Sequence, residues 1–416
     1  MSEPLLLSGG TIFTPHEEIH GGMVVCESGR IKAVLPEVDA GANLPCRKIN
    51  LSGMMICPGL IDIHLHGALG IDFLEAGADD LDRMLRFHMT QGTTSLLPTL
   101  MSAPLDHMTR AIERILFWQK GNDRKELIRG IHLEGPFLSP DQTGIHHRED
   151  ILCPDEDTLL HLIQASRKKL SILTLAPELE GAMALIRLAR ENGIIVSAGH
   201  SVACYEEMQE AIDQGLNHVC HCFNAMGRFH HREPGVIGAV LNTSGITAEL
   251  ILDGIHVHPA VAHILIRMLG VGNIILVTDC SPLVGLEEGV YLRDIQDDRE
   301  IWVKRDVKDN KDGDDRDMRH VEHGKITDAR GRLAGSALSL TKAIKNCLDF
   351  GLVSLPQAIS MATSNPSRLL HLDHEIGWIR PGFRADMTIM DRDFKVRMVI
   401  MGGEIVYSDL PLEGVS

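Results

Sequence analysis

At 416 residues the chain exceeds what one small core requires. At roughly 100–200 residues per domain it holds two to four domains, or one barrel of about 250 residues with an attachment. An apolar content of 44% excludes a disordered or fibrous chain, and a formal net charge of −17 argues against a general nucleic-acid or anionic-membrane surface. Histidine is abundant, at 22 residues beside 3 Trp, 3 Tyr and 10 Phe, which admits metal sites without requiring them. The nine cysteines form no CxxC pair, which suits a reducing cytoplasm with cysteines as small core residues. MSEPLLLSGG carries an acid where a signal peptide wants a basic region. No stretch approaches the roughly 20 apolar residues of a membrane span, so a soluble cytoplasmic protein is expected.

Residues 1–57 alternate apolar residues with glycine punctuation (LLLSGGTIFT, GGMVVCESGRIKAVL, KINLSGMMICPG) and predict short strands. The same texture returns over 375–416 in EIGWIRPGFRADMTIMD and FKVRMVIMGGEIVYS. Both ends together predict one small β-sandwich domain. Between them, eight short apolar runs recur: GLIDIHLH (59–66), TTSLLPTL (93–100), IRGIHLEGP (128–136), SILTLAPE (171–178), GIIVSAGH (193–200), NHVCHCFNA (217–225), TAELILDGIH (247–256) and NIILVTDC (273–280). Helical patterns such as LDHMTRAIERILFWQ, GAMALIRLARENG and YEEMQEAIDQG separate most of them. Strand–helix alternation repeated eight times predicts a (β/α)8 barrel of the TIM type over 58–374. Residues 294–323 carry 11 acids and 7 bases, too much charge for a core. That insertion is expected as a solvated loop or hairpin, hanging in solvent rather than acting on a lid.

Polar side chains fall at the run ends, where a barrel enzyme builds its site. Run one ends in His64-Leu65-His66, and strand alternation points both imidazoles to one side. Run three ends in Glu134, run four in Glu178 and run five in His200; run six carries His221, run seven is followed by His256, and run eight ends in Asp279. Four imidazoles (His64, His66, His200, His221) and two carboxylates (Glu134, Asp279) converging on one rim predict a divalent-metal site, for one ion or for two bridged by Glu134.

HLHG, LEGPF, AGHS, HCFNAM, DGIH and VTDC, with REPG and the flanking PGLIDIHLHG and PGFRADMTIMD, resemble the motif series of the N-acetylglucosamine-6-phosphate deacetylases of the amidohydrolase superfamily. The resemblance spans nearly the whole chain. It implies that Glu134, His200 and His221 hold one metal, and that His64 and His66 with Glu134 and Asp279 hold a second. Zn, Fe, Mn or Co would serve. Run four lacks the lysine that bridges metals in hydantoinases and dihydroorotases. Asp279 then takes the proton of the attacking water and delivers it to the leaving amine, while His146, in FLSPDQTGIHH, matches the residue that polarises the carbonyl.

For the substrate, the resemblance implies a phosphate held by the Asn224 and Ala225 backbone amides and by Arg232, which reaches the neighbouring active site in a homodimer. His256 matches a substrate contact, and Leu333-Ala334-Gly335 match a loop closing over the ligand. The implied reaction is hydrolysis of the acetamide of N-acetyl-D-glucosamine 6-phosphate. The galactosamine epimer stays open, as does another amidohydrolase such as a deaminase or N-acyl-amino-acid deacylase. A barrel without metal, serving in assembly, has no use for six convergent ligands.

Overall fold

The computed structural model describes residues 3–14, 17–36, 46–296, 299–305 and 318–411. They divide into two compact units: Met1–Asp62, Arg86–Ser95 and Leu340–Ser416 form one, Ile63–Leu85 and Leu96–Ser339 the other.

The first unit joins both chain ends in one hydrogen-bonded sheet. Its seam pairs Met387–Met390 antiparallel with Met55–Pro58, placing Ile389 opposite Ile56. Strand Leu5–Phe13 then pairs with Met55–Pro58 on one side and Glu18–Glu27 on the other. Strand Val396–Met401 follows Met387–Met390 on the opposite flank. The alternation read along the terminal sequences has a physical outcome here. Leu5, Leu7 and Ile12, every second or nearby residue of one strand, are buried with Val24, Ile31, Met387, Ile389 and Met398 in one apolar core.

The other principal sheet has eight strands in chain order, all parallel where the register is resolved. They are β1 (Leu60–Leu65), β2 (Thr93–Met101), β3 (Ile131–Glu134), β4 (Leu170–Leu175), β5 (Ile195–Ala198), β6 (His218–Val219), β7 (Thr247–Leu250) and β8 (Ile274–Leu276). Each of the eight apolar runs overlaps one of them. The barrel closes where the Asp279 N–H donates to His64 O at 2.8 Å and Leu65 bridges to Cys280 in parallel. Its strands are buried on both faces, which explains why the runs read as continuous apolar segments rather than as alternation.

Helices between the strands bury one stripe each. In Ala182–Glu191 the residues at helical spacing, Ala182, Leu185, Ile186 and Ala189, face inward. Tyr205–Gln214 starts at a reciprocal cap: Cys204 N–H donates to Glu207 Oε2 at 2.7 Å and Glu207 N–H to Cys204 Sγ at 3.5 Å. Among the described residues, no helix is long and apolar enough to cross a membrane.

The charged insertion differs from its expectation. Gly289–Gln296 and Arg299–Arg305 do form a hairpin, but Met318–Glu322 returns alongside it and continues through Lys325–Asp328 into Leu333–Ser336. The result is a five-stranded antiparallel sheet with its own small core of Leu283, Tyr291, Val321, Ile326 and Ala334. Of that core only Val321 lies within residues 294–323; the other four flank it. Residues 297–298 and 306–317 of the insertion lie outside the described residues.

Ile389 is fully buried at the seam of the terminal sheet. Ile389→Ala is expected to cost about 2–5 kcal/mol, read as a lowered thermal midpoint in calorimetry.

Candidate metal centre

At the carboxyl ends of the barrel strands the chain must turn sharply while aiming side chains into the mouth. Three of the predicted ligands sit in left-handed backbone: His200 (φ 48°), His221 (φ 22°) and Asp279 (φ 45°). That conformation is costly for residues with a Cβ and persists only where the surroundings enforce it. Glycines admit the neighbouring segments. At Gly335 (φ +68°) an added Cβ would lie 3.0 Å from Asp279 O, and at Gly144 (φ +57°) 2.9 Å from His200 Cε1.

The six predicted ligands come together around Glu134. Its Oε1 lies 2.8 Å from His221 Nε2, 3.1 Å from His200 Nε2 and 3.4 Å from His64 Nε2. Its Oε2 lies 3.4 Å from His66 Nε2 and 3.2 Å from His146 Nε2. Asp279 Oδ1 is 3.2 Å from His66 Nε2 and 3.8 Å from His64 Nε2. All these side chains are nearly or wholly buried.

The outer nitrogens of the imidazoles define their tautomers. His64 Nδ1 faces Glu249 Oε2 at 2.7 Å, His66 Nδ1 faces Thr99 O at 3.3 Å, and His200 Nδ1 faces Gln142 O at 2.8 Å. Carboxylates and carbonyls only accept, so these nitrogens carry protons and Nε2 is the atom that each ring turns to the centre. His200 Nε2 and His221 Nε2 stand 3.1 Å apart beside a carboxylate. Two ring nitrogens and a carboxylate so close require positive charge among them, as bound protons or as a metal ion. The donor set of imidazole nitrogens and carboxylate oxygens fits Zn, Fe, Mn or Co.

His146 is built the other way. Its Nδ1 accepts from Ser102 N–H at 3.2 Å, which leaves the proton on Nε2. Burial pushes its pKa down to about 4, against the pull of Glu134, so it is a neutral hydrogen-bond donor. Electrostatics across the centre is governed by carboxylates. Burial opposes ionisation of Glu134, Asp279 and Glu249, yet the surrounding imidazoles hold all three below the usual carboxylate range. Conversely, burial disfavours charge on His64, but Glu249 and Glu134 raise its pKa well above the usual value. The centre demands positive charge.

A cavity of about 190 Å³ opens onto the ligands and is also lined by His146, Asn224, Ala225, His256, Leu333 and Gly335. The His256 ring is fixed by Nδ1–H donation to Asp253 Oδ2 at 2.6 Å. Other expected contacts are placed differently. Ala334, between Leu333 and Gly335 on one strand, turns into the small core, as alternation requires. The Asn224 N–H donates to His221 O at 2.9 Å within the turn. Arg232 is exposed, with Nη1 3.1 Å from His231 Nε2, and does not line the cavity. Glu178 binds Ser201 Oγ and Val202 N, each at 2.7 Å, and supports the loop after His200.

Sequence reasoning missed Glu249, His218, His132 and Gln142. Gln142 acts through its backbone carbonyl, which no residue type announces. Glu249 did leave a signal: a carboxylate inside the otherwise apolar run TAELIL.

Residues 55–406 match the amidohydrolase family, and the chain belongs to that family. It is similar to the N-acetylgalactosamine-6-phosphate deacetylase of Escherichia coli O157:H7, 34% identical over 84% of this chain and 87% of the relative. The N-acetylglucosamine-6-phosphate deacetylase of Bacillus subtilis (strain 168) is 32% identical over 98% of both chains. Among solved structures, a mutant N-acetyl-D-glucosamine-6-phosphate deacetylase from Mycobacterium smegmatis, in complex with N-acetyl-D-glucosamine-6-phosphate, superposes with a TM-score of 0.85 at 28% identity, covering 98% of this chain and 100% of that one.

Protein purified without chelator is expected to carry at least about one divalent ion per chain by elemental analysis. Glu134→Gln, which removes the charge that all the ligands share, is expected to lose it while keeping the wild-type circular dichroism.

Proposed function

We propose that the chain hydrolyses the acetamide of N-acetyl-D-glucosamine 6-phosphate to acetate and D-glucosamine 6-phosphate. One observation carries the reading: imidazoles and carboxylates converge on Glu134 at the floor of a cavity that His146 and His256 also line, in a chain whose full-length relatives are hexosamine 6-phosphate deacetylases.

Glu134, His200 and His221 would hold one divalent ion, and His64, His66, Glu134 and Asp279 a second. A divalent cation in such a site supplies a nucleophile at neutral pH and stabilises developing negative charge. The chain's own residues do the rest. Asp279, held ionised at the rim, accepts a proton from the attacking water as the carbon–oxygen bond forms. It returns that proton to nitrogen as the carbon–nitrogen bond breaks, so the amine leaves neutral. His146 presents Nε2–H to the carbonyl oxygen, and its low pKa keeps it a donor rather than a competing cation. His256, its ring locked by Asp253, orients the sugar.

Phosphate recognition falls to the Ala225 N–H and to Arg232. Because Arg232 is exposed on its own chain, it would serve the neighbouring active site of a homodimer. Nine free cysteines accord with a cytoplasmic setting. The galactosamine 6-phosphate epimer is the second reading, favoured by the Escherichia coli relative at 34% identity. Acetate release from the two epimers, with and without chelator, separates them: the preferred epimer shows the higher kcat/KM, and chelator abolishes turnover of both.

Asp279→Asn is expected to lower kcat by about 10²–10⁴-fold, the range for loss of a proton-transfer group, with most of the metal retained; near-normal turnover removes Asp279 from proton transfer. Arg232→Ala is expected to weaken kcat/KM for the phosphorylated sugar by roughly 10–150-fold, the worth of a charged hydrogen bond. The same change should leave unphosphorylated N-acetylglucosamine unaffected. Equal losses on the two sugars refute the phosphate role.

A further inference from the structure

We infer that Glu249 is the positioning residue of the cation site, setting both metal loci from beneath with a single carboxylate; this rests on the reading of His64 and His221 as cation ligands. Glu249 lies on β7, fully buried inside the barrel. Its Oε2 accepts from His64 Nδ1–H at 2.7 Å and from the His221 backbone N–H at 2.9 Å. These residues belong to different proposed loci, one shared with His66 and Asp279, the other with Glu134 and His200. Its Oε1 accepts from His218 Nε2 at 3.1 Å, and the far side of that ring is braced by Thr247 Oγ1 at 2.7 Å.

Two consequences follow from the geometry. Accepting from Nδ1–H fixes His64 in the tautomer whose Nε2 is a ligand, orients the ring and raises its basicity. Accepting from the His221 N–H pins the backbone of a residue held at φ 22°, where a strand end has little other support. Packing offers no reason for a carboxylate here, since an apolar side chain of similar size would fill the barrel without desolvating a charge.

Glu249 is also close enough to His64 and His132 to look like a third ligand set. His132 rules that out. Its Nδ1–H donates to Ile63 O at 3.0 Å and its Nε2 accepts from Thr174 Oγ1 at 2.8 Å, which leaves no lone pair for an ion.

The test uses metal-free full-length protein titrated with Co2+ and followed by its visible absorption. Glu249→Gln keeps the shape and one acceptor but removes the charge. Co2+ affinity is expected to fall by about 10–100-fold, the usual effect of losing such a partner. The thermal midpoint of the metal-free form should stay near wild type, KM should be unchanged, and kcat should recover in excess Co2+. A folded variant with wild-type Co2+ affinity overturns the inference, whereas a wild-type protein that binds no Co2+ overturns the cation site beneath it. Should the variant fail to fold, nitrogen–proton correlation on Zn2+-loaded wild type labelled at histidine decides, with His64 assigned by comparison with His64→Asn. A proton on His64 Nδ1 supports the role, and a proton on Nε2 overturns it.

Discussion

The constraint on which this barrel turns is the burial of negative charge at its mouth. Glu134 is almost wholly inaccessible, yet it must stay ionised, and an isolated carboxylate removed from water is costly. The solution is a shell of imidazoles around both oxygens, with His64, His200 and His221 at Oε1 and His66 and His146 at Oε2. Each imidazole is in turn oriented from outside: His64 by Glu249, His66 by Thr99, His200 by Gln142 and His146 by Ser102. The carboxylate therefore organises strands β1, β3, β5 and β6, the chain after β8, and the loop carrying His146.

Tautomer divides the shell into two kinds of residue that look alike in a sequence. In three imidazoles a proton is held on Nδ1 by a carbonyl or carboxylate, which turns Nε2 toward the centre. His146 receives a backbone N–H on Nδ1 instead, so it turns a proton inward. The same side chain thus serves as ligand or as hydrogen-bond donor according to what the barrel wall presents behind it. The cavity therefore gathers ring nitrogens that could ligate an ion and one inward N–H donor.

Much of this arrangement was legible in the sequence. The eight apolar runs overlap the eight barrel strands one for one, because strands buried on both faces are largely apolar and short. His64-Leu65-His66 placed two imidazoles on one side through the period-two geometry of a strand, and Glu134, His200, His221 and Asp279, which gather with them, stood at or near run ends. What escaped detection acts through other atoms or depends on face. Gln142 contributes a backbone carbonyl, and Glu249 turns toward His64 Nδ1 and the His221 N–H from within an apolar run. The insertion was misjudged because its charges outnumber its apolar residues. Alternation places Tyr291 and Val321 on the covered face of a sheet even so.

The acidic balance of the whole chain says little about the potential at this mouth. At physiological ionic strength fixed charges are screened over about 8 Å, so only nearby groups count. Next to the metal centre, and sharing Gly144, Ile145 and His146 with its cavity, lies a second cavity of about 230 Å³ lined by Arg148, Arg319, Arg330 and Arg332 against Glu149 and Asp328. Asp328 is already engaged by Arg332 Nε at 2.7 Å and by backbone N–H groups of Arg330 and Arg332. A chain with a net charge of −17 therefore keeps a locally basic wall beside its buried carboxylates. The five-stranded sheet supplies that wall: three of the four arginines lie on its strands or the turn between them. Arg319, inside the acidic insertion, adds to that positive charge, which a sum over composition conceals.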